Sequence, residues 1–340
     1  MAEPVLSSLL SRLWVAFAIE VDSAVEEAAT DAVRRLFRVS LSMWANGLRL
    51  IPAAGVSLAE LRARAGAACN IGGLERWGWI NVGDGPGRRP GYGTSTGLGD
   101  DTVVRPSRAG TFARRVWPEV IAEVEQRWPS RFGAGRIDAL AAAAAPHGAG
   151  MPWSVPQAAP SNGFFTRVTG TTEEQPEAVV LRLGQALTAV TLRCEDGAPV
   201  SAPLGSNLLR VVGPDGLARR DLPAAAGVSK EAAAMATSFA LRRQLVEDEG
   251  RTLRLTAAGQ APLAGWEECA RAGDHAGLRR AVTAITSRGE ELAMGLGPPE
   301  GGWRGQHPYL AQTRRLMADP MAALPWQPMV LHRGGWPDGS

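Results

Sequence analysis

Four histidines, His147, His275, His307 and His332, are the side chains of this chain best suited to moving protons near neutral pH. None stands in an HxxxH or HxH spacing with carboxylates, so the sequence offers no zinc or iron site. The cysteines Cys69, Cys194 and Cys269 are far apart and odd in number. They make neither a metal spacing nor a disulfide framework and read as buried structural thiols in a reducing cytoplasm. Gly93-Thr-Ser-Thr-Gly97 has the spacing of a nucleophile elbow, but that motif needs a strand before it and a helix after it. Here it sits in a Gly-rich loop and reads as turn residues. No GxGxxG follows a strand and no phosphate loop ends in GK[ST]. No catalytic residue, cofactor or metal is therefore assigned.

Two residue types remain, arginine and tryptophan. The 340-residue chain carries 36 Lys and Arg against 34 Asp and Glu, for a net charge of +2. That balance neither demands nor excludes nucleic acid. All the basic residues but Lys230 are arginines, and 11 Trp stand against 2 Tyr. Trp14, Phe17 and Trp44 fall on the apolar stripes of helices, and Trp303, Trp326, His332 and Trp336 gather in the tail. An aromatic-lined cavity of this kind suits a small planar ligand; the plainer reading is core packing and a structural strap.

The elements that would position these side chains follow from periodicity. Residues 5–29 and 31–51 read as helices by their i, i+3, i+4, i+7 apolar stripes, with Pro52 as the stop. Ser57 with Glu60 caps a short helix, and a second short helix leads into Trp79. Two strands, 79–82 and 102–105, flank a loop holding the pair Arg88-Arg89. A long helix over 107–128 contains Pro118, expected to kink or split it, and a helix at 135–145 follows. Residues 146–176 read as a linker. The order then returns over 177–288, with a hairpin at 244–256, before a Pro- and Trp-rich tail at 289–340 too apolar to stay free. No basic stretch followed by a long apolar core opens the chain, and no apolar run is long enough to span a membrane.

The return is visible in the residues. Asn46-Gly-Leu-Arg-Leu-Ile51 aligns with Asn207-Leu-Leu-Arg-Val-Val212, and Arg105-Pro-Ser-Arg-Ala-Gly110 aligns with Arg254-Leu-Thr-Ala-Ala-Gly259. Trp117 falls on Trp266 at the second offset. Two anchors in the same order indicate one unit present twice, 1–145 and 177–288, and the tail departs from the repeat.

Val56-Ser-Leu-Ala-Glu-Leu61, Leu74-Glu-Arg-Trp-Gly-Trp-Ile80 and Val104-Arg-Pro-Ser-Arg-Ala-Gly110 resemble the MarR-like winged-helix transcriptional regulators. So do Leu241-Arg-Arg-Gln-Leu-Val246 and Leu253-Arg-Leu-Thr-Ala-Ala-Gly259 in the second half. The doubled form with its tail is similar to a tandem type of that family from actinobacteria. The resemblance implies a mainly α fold with small β-hairpin wings, in two tandem winged-helix units. The two units would pair within one chain as a pseudo-dimer, leaving a monomer or a homodimer. It also implies a cytoplasmic, ligand-responsive regulator that binds duplex DNA.

For DNA, the expected contacts are Asn70, Arg88, Arg89 and Arg108 in the first unit, and Lys230, Arg242, Arg243 and Arg251 in the second. Three features count against it. The outward face of the reading helix in the second unit offers Lys230, Glu231, Thr237 and Ser238 with alanines between, a poor base-reading surface. The span between the short helices and the hairpin is five residues shorter in the first unit, and it holds Gly72-Gly73. The second hairpin carries Asp248 and Glu249 at its tip, which would repel phosphate. The rival reading is a small-molecule-binding protein or cofactor-independent enzyme on a scaffold that has lost DNA reading. A protein-interaction module is the third.

Overall fold

A computed structural model describes residues 5–29, 40–65, 69, 71–83, 99–149, 155–156, 176–194, 202–213, 215–272 and 275–328. Asn70, Arg88, Arg89, His332, Trp336, the 93–97 glycine string and residues 31–39 lie outside the described residues. The structure is mainly helical, with two small antiparallel sheets of three strands each. Among the described residues no helix is long and apolar enough to cross a membrane.

Helix α1, Leu6–Ala28, is buried on almost every side, with polar Ser8, Ser11, Glu20, Asp22, Ser23 and Glu26 among the buried residues. A helix of that kind belongs at the centre of a fold. Ser40 caps α2, Leu41–Asn46, by accepting the Met43 N–H, and a turn of 3-10 helix, Leu48–Leu50, follows. Then come β1 (Val56–Ser57), α3 (Leu58–Ala65), α4 (Ile71–Arg76), β2 (Ile80–Val82) and β3 (Val103–Pro106). The sheet order is β1-β3-β2, with Val56 opposite Val104 and Ile80 opposite Pro106. Helices α5, Arg108–Phe132, and α6, Ala134–Gly148, complete this half.

The second half repeats the order: α7 (Val179–Cys194), α8 (Ala202–Val212), β4 (Leu217–Ala218), α9 (Leu222–Ala226), α10 (Lys230–Arg242), β5 (Val246–Asp248), β6 (Thr252–Leu255), α11 (Ala257–Ala272) and α12 (Ala276–Thr286). Its sheet order is β4-β6-β5, the same arrangement as in the first. The third strands, β1 and β4, are two residues long and add to the expected hairpins.

The likeness reaches single hydrogen bonds. Ser107 Oγ accepts the Gly110 N–H and donates to the Gly78 carbonyl, while the Ser107 N–H donates to Trp79. Thr256 makes the same three bonds with Gly259, Gln244 and Leu245. Gly78 and Gln244 both have positive φ, 75° and 56°. A Cβ on Gly110 would stand 2.1 Å from the Trp79 carbonyl oxygen, and one on Gly259 would stand 2.1 Å from that of Leu245. Each hairpin is thus joined to its long helix by a contact that only glycine permits.

Four helices hold the halves together. Helix α1 packs on α7 and α12, and α6 packs on the same two. The cross pairs α1–α12 and α6–α7 are reciprocal under the correspondence of α1 with α7 and α6 with α12. The four helices meet at one interface. The Trp14 indole N–H donates to the Val180 carbonyl across it, at 3.1 Å. The Glu125 carboxylate accepts the N–H groups of Val179 and Val180, at 3.0 and 2.8 Å, and so satisfies exposed donors at the start of α7.

Three expectations change. Pro118 does not split α5, which runs unbroken through Pro118 and Pro129. Pro118 is exposed, so the carbonyl that loses its partner faces water, which satisfies it. The tail is itself structured, with α13 (Gly289–Met294), α14 (Leu310–Ala318) and α15 (Pro320–Ala323). Its end also rejoins the repeat. Asn207 donates to the Gln327 carbonyl and accepts its N–H, at 2.8 and 3.0 Å. Asn46, the residue aligned with Asn207, does the same to Val155, at 2.8 and 2.9 Å. Residues 155–156 and 327–328 are therefore equivalent straps, each an x-Pro step clamped by one asparagine.

Candidate nucleic-acid interface

In each half the two short helices and the hairpin form one head. The second head is the more fully built. Ser229 caps α10 by accepting the Ala232 N–H, as the sequence anticipated. Ala232, Ala233, Ala236, Thr237, Phe239 and Ala240 face inward. Lys230, Ala234, Ser238, Arg242 and Arg243 are exposed. The Arg242 guanidinium donates to Ser238 Oγ at 2.7 Å and lies 5.0 Å from the Phe239 ring centre.

Beside this face runs an open groove of about 570 Å³. Its described lining includes Arg219, Arg220 and Lys230, with Pro223, Ala234 and Ser238 between them, and Asp221 stands beside it, 3.5 Å from Arg220. The hairpin acids, expected to repel phosphate, are engaged by arginines. Arg219 pairs with Asp248. Arg254 grips both oxygens of Glu249 at 3.0 Å, and this fork holds the Glu249 carboxyl below its usual range. Sequence reasoning placed Arg254 and Arg219 in no role, because neither is adjacent in sequence to the acid it neutralises.

The first head is slighter. Helix α4 has six residues, and among them only Arg76 is fully exposed, while Gly73 and Leu74 are buried. Arg108, at the start of α5, is exposed. Arg251, at the tip of the second hairpin, is exposed as well.

No family model, curated protein or solved structure matches the chain. The reading therefore rests on the geometry alone.

The aromatic residues have other surroundings than an open pocket. Trp14 is wholly buried. Phe17 stacks on Trp128 with ring centres 3.9 Å apart, and Trp44 stacks on Trp117 at 5.6 Å. The Trp128 N–H donates to Glu20, which is also paired with Arg131. These side chains fill the core of the first half. In the tail, Trp303 meets Tyr309 edge-on at 4.6 Å, and its backbone N–H donates to Glu26. Trp326 lies between two guanidiniums, Arg12 at 4.4 Å and Arg210 at 3.9 Å from its ring centre. Burial, with Arg210 close by, lowers the Arg12 guanidinium to about 10. The cavity beside Trp326, Arg210 and Cys194 measures about 20 Å³, room for a water molecule rather than a planar ligand.

The cysteines correct the sequence reading. Cys194 and Cys269 are joined by a disulfide that ties α7 to α11, and Cys69 is free. The spacing of 75 residues hid a pair that helix packing brings together, and with it goes the argument from unpaired thiols to a reducing compartment. Cys69 is only partly covered as a residue. Its Sγ nevertheless points into the packing near Gly47, and burial pushes the thiol up to about 12. Among the described residues no group of His, Cys, Asp or Glu is arranged to hold a metal ion.

Proposed function

We propose that the chain is a tandem winged-helix protein of the MarR-like type. In this reading its two units pair within one molecule and it binds duplex DNA as a transcriptional regulator. One observation carries the reading: the strand–helix–helix–strand–strand order, with the first strand beside the last, occurs twice on a reciprocal four-helix interface. That order is the winged-helix one, in which the second short helix enters the major groove and the hairpin touches the backbone. The exposed Lys230, Arg242 and Arg243 supply positive charge along α10. The rival reading as a small-molecule binder or cofactor-independent enzyme draws no support from Trp14, Phe17 and Trp44, whose rings are committed to core contacts.

The test is fluorescence anisotropy of a labelled random-sequence duplex titrated with the full chain between 50 and 200 mM salt. The expected outcome is binding whose log affinity falls linearly with log salt as counterions leave the phosphates. Absence of binding at the lowest salt contradicts the proposal.

A further inference from the structure

The two heads are unequal, and the inequality has a consequence for the DNA they would meet. An α-helix rises about 1.5 Å per residue. Helix α10, with 13 residues, therefore runs about 20 Å, while α4, with 6, covers about 9 Å. A helix that short offers fewer than two turns to a groove about 12 Å wide. Gly72 and Gly73 weaken it further, by about 1 kcal/mol each relative to alanine. Its one fully exposed side chain is Arg76.

Helix α10 is built differently. Lys230, Ala234, Ser238 and Arg242 follow one another at successive turns, all four exposed. The two short residues in the middle let the helix backbone come close to base edges. A methyl such as that of Ala234 suits a thymine methyl, a hydroxyl serves either base partner, and Lys and Arg suit the acceptors of guanine. Arg220, largely exposed, stands at the edge of the same groove, where phosphates would lie.

We infer that the chain reads bases through α10 alone, and that the first head contributes backbone contacts only. The recognised element is then a single non-palindromic half-site, not the paired half-sites that a symmetric dimer requires. This deepens the DNA-binding reading and rests on it.

Selection of bound duplexes from a random pool by the full chain, followed by affinity measurement on the enriched sequence, tests the inference. The expected motif is contiguous, lacks two-fold symmetry and spans about one helical turn, roughly 10 bp. Ala234→Asp, an exposed change that puts a carboxylate into the groove, should lower affinity for the selected site at least about tenfold. Its thermal unfolding should match the parent. Lys230→Ala should flatten the ranking of single-base variants of the site, whereas Arg76→Ala should leave that ranking unchanged. A palindromic motif with two half-sites a turn apart, or equal loss of ranking from Arg76→Ala, overturns the inference and leaves DNA binding intact. Absence of any salt-dependent duplex binding overturns both.

Discussion

At the scale of single residues, two glycines and three cysteines make the sharpest statements. Gly110 and Gly259 sit where a Cβ would strike a backbone carbonyl 2.1 Å away. Backbone cannot swing aside as a side chain can, so Gly110→Ala and Gly259→Ala should each cost roughly 1–3 kcal/mol, measured as matching losses in urea midpoint. A loss at one position only would break the equivalence of the halves. For the cysteines, alkylation of the unfolded chain without reductant should label Cys69 alone, and after reduction all three thiols. In the folded chain Cys69 should stay unlabelled at pH 8, since its thiol is held near 12 and only the thiolate reacts. Labelling of Cys194 without reductant would contradict the pairing. The alignment of Asn46 with Asn207 was legible in the sequence, but their task was not. Their partners, Val155 and Gln327, lie 109 and 120 residues away, and a side chain bonded to backbone leaves no pattern in residue types at that distance.

At the scale of elements, periodicity located α1, α10, α12 and both hairpins, because each carries its apolar stripe or strand pair within a short window. It could not locate β1 and β4, since two residues carry no period and those strands exist only as partners of β3 and β6. Two helices of the tail, α13 and α15, escaped for a related reason: they are six and four residues long, below the length at which a stripe shows. Glu125 is the element-scale test. Burial raises its carboxyl above the ordinary 4.5, against the pull of the two N–H groups it caps. A folded-state value above the unfolded one means the folded chain binds the proton more tightly. That contribution is complete below about 4.5 and is lost as pH rises through the raised folded value. Glu125→Gln removes the titration, so the urea midpoint of the wild type relative to the variant should fall as pH rises from 4 to 7. A difference that stays constant over that range would show that Glu125 does not titrate in the folded chain.

At the scale of the whole molecule, the two heads are carried by one set of packed helices. Pairing through α1, α6, α7 and α12 puts both on one scaffold, and the disulfide fixes α11, the helix that leaves the second hairpin, to α7. The two sequence anchors fall on matching elements, Asn46 in α2 with Asn207 in α8 and Gly110 in α5 with Gly259 in α11, and Gly72-Gly73 marked the short helix α4. Nothing in the sequence pointed to the groove along α10, because Arg219, Arg220 and Lys230 converge only after α9 and α10 have packed. The central claim is that this groove meets phosphate. The most direct measurement is the salt dependence of duplex binding by the full chain with Arg220→Ala, which leaves the Arg219–Asp248 pair in place. Each lost phosphate contact should reduce the slope of log affinity against log salt by about one, and lower affinity evenly across sequences. The account predicts a slope shallower by about one than that of the wild type. An unchanged slope would mean that the groove along α10 does not face DNA.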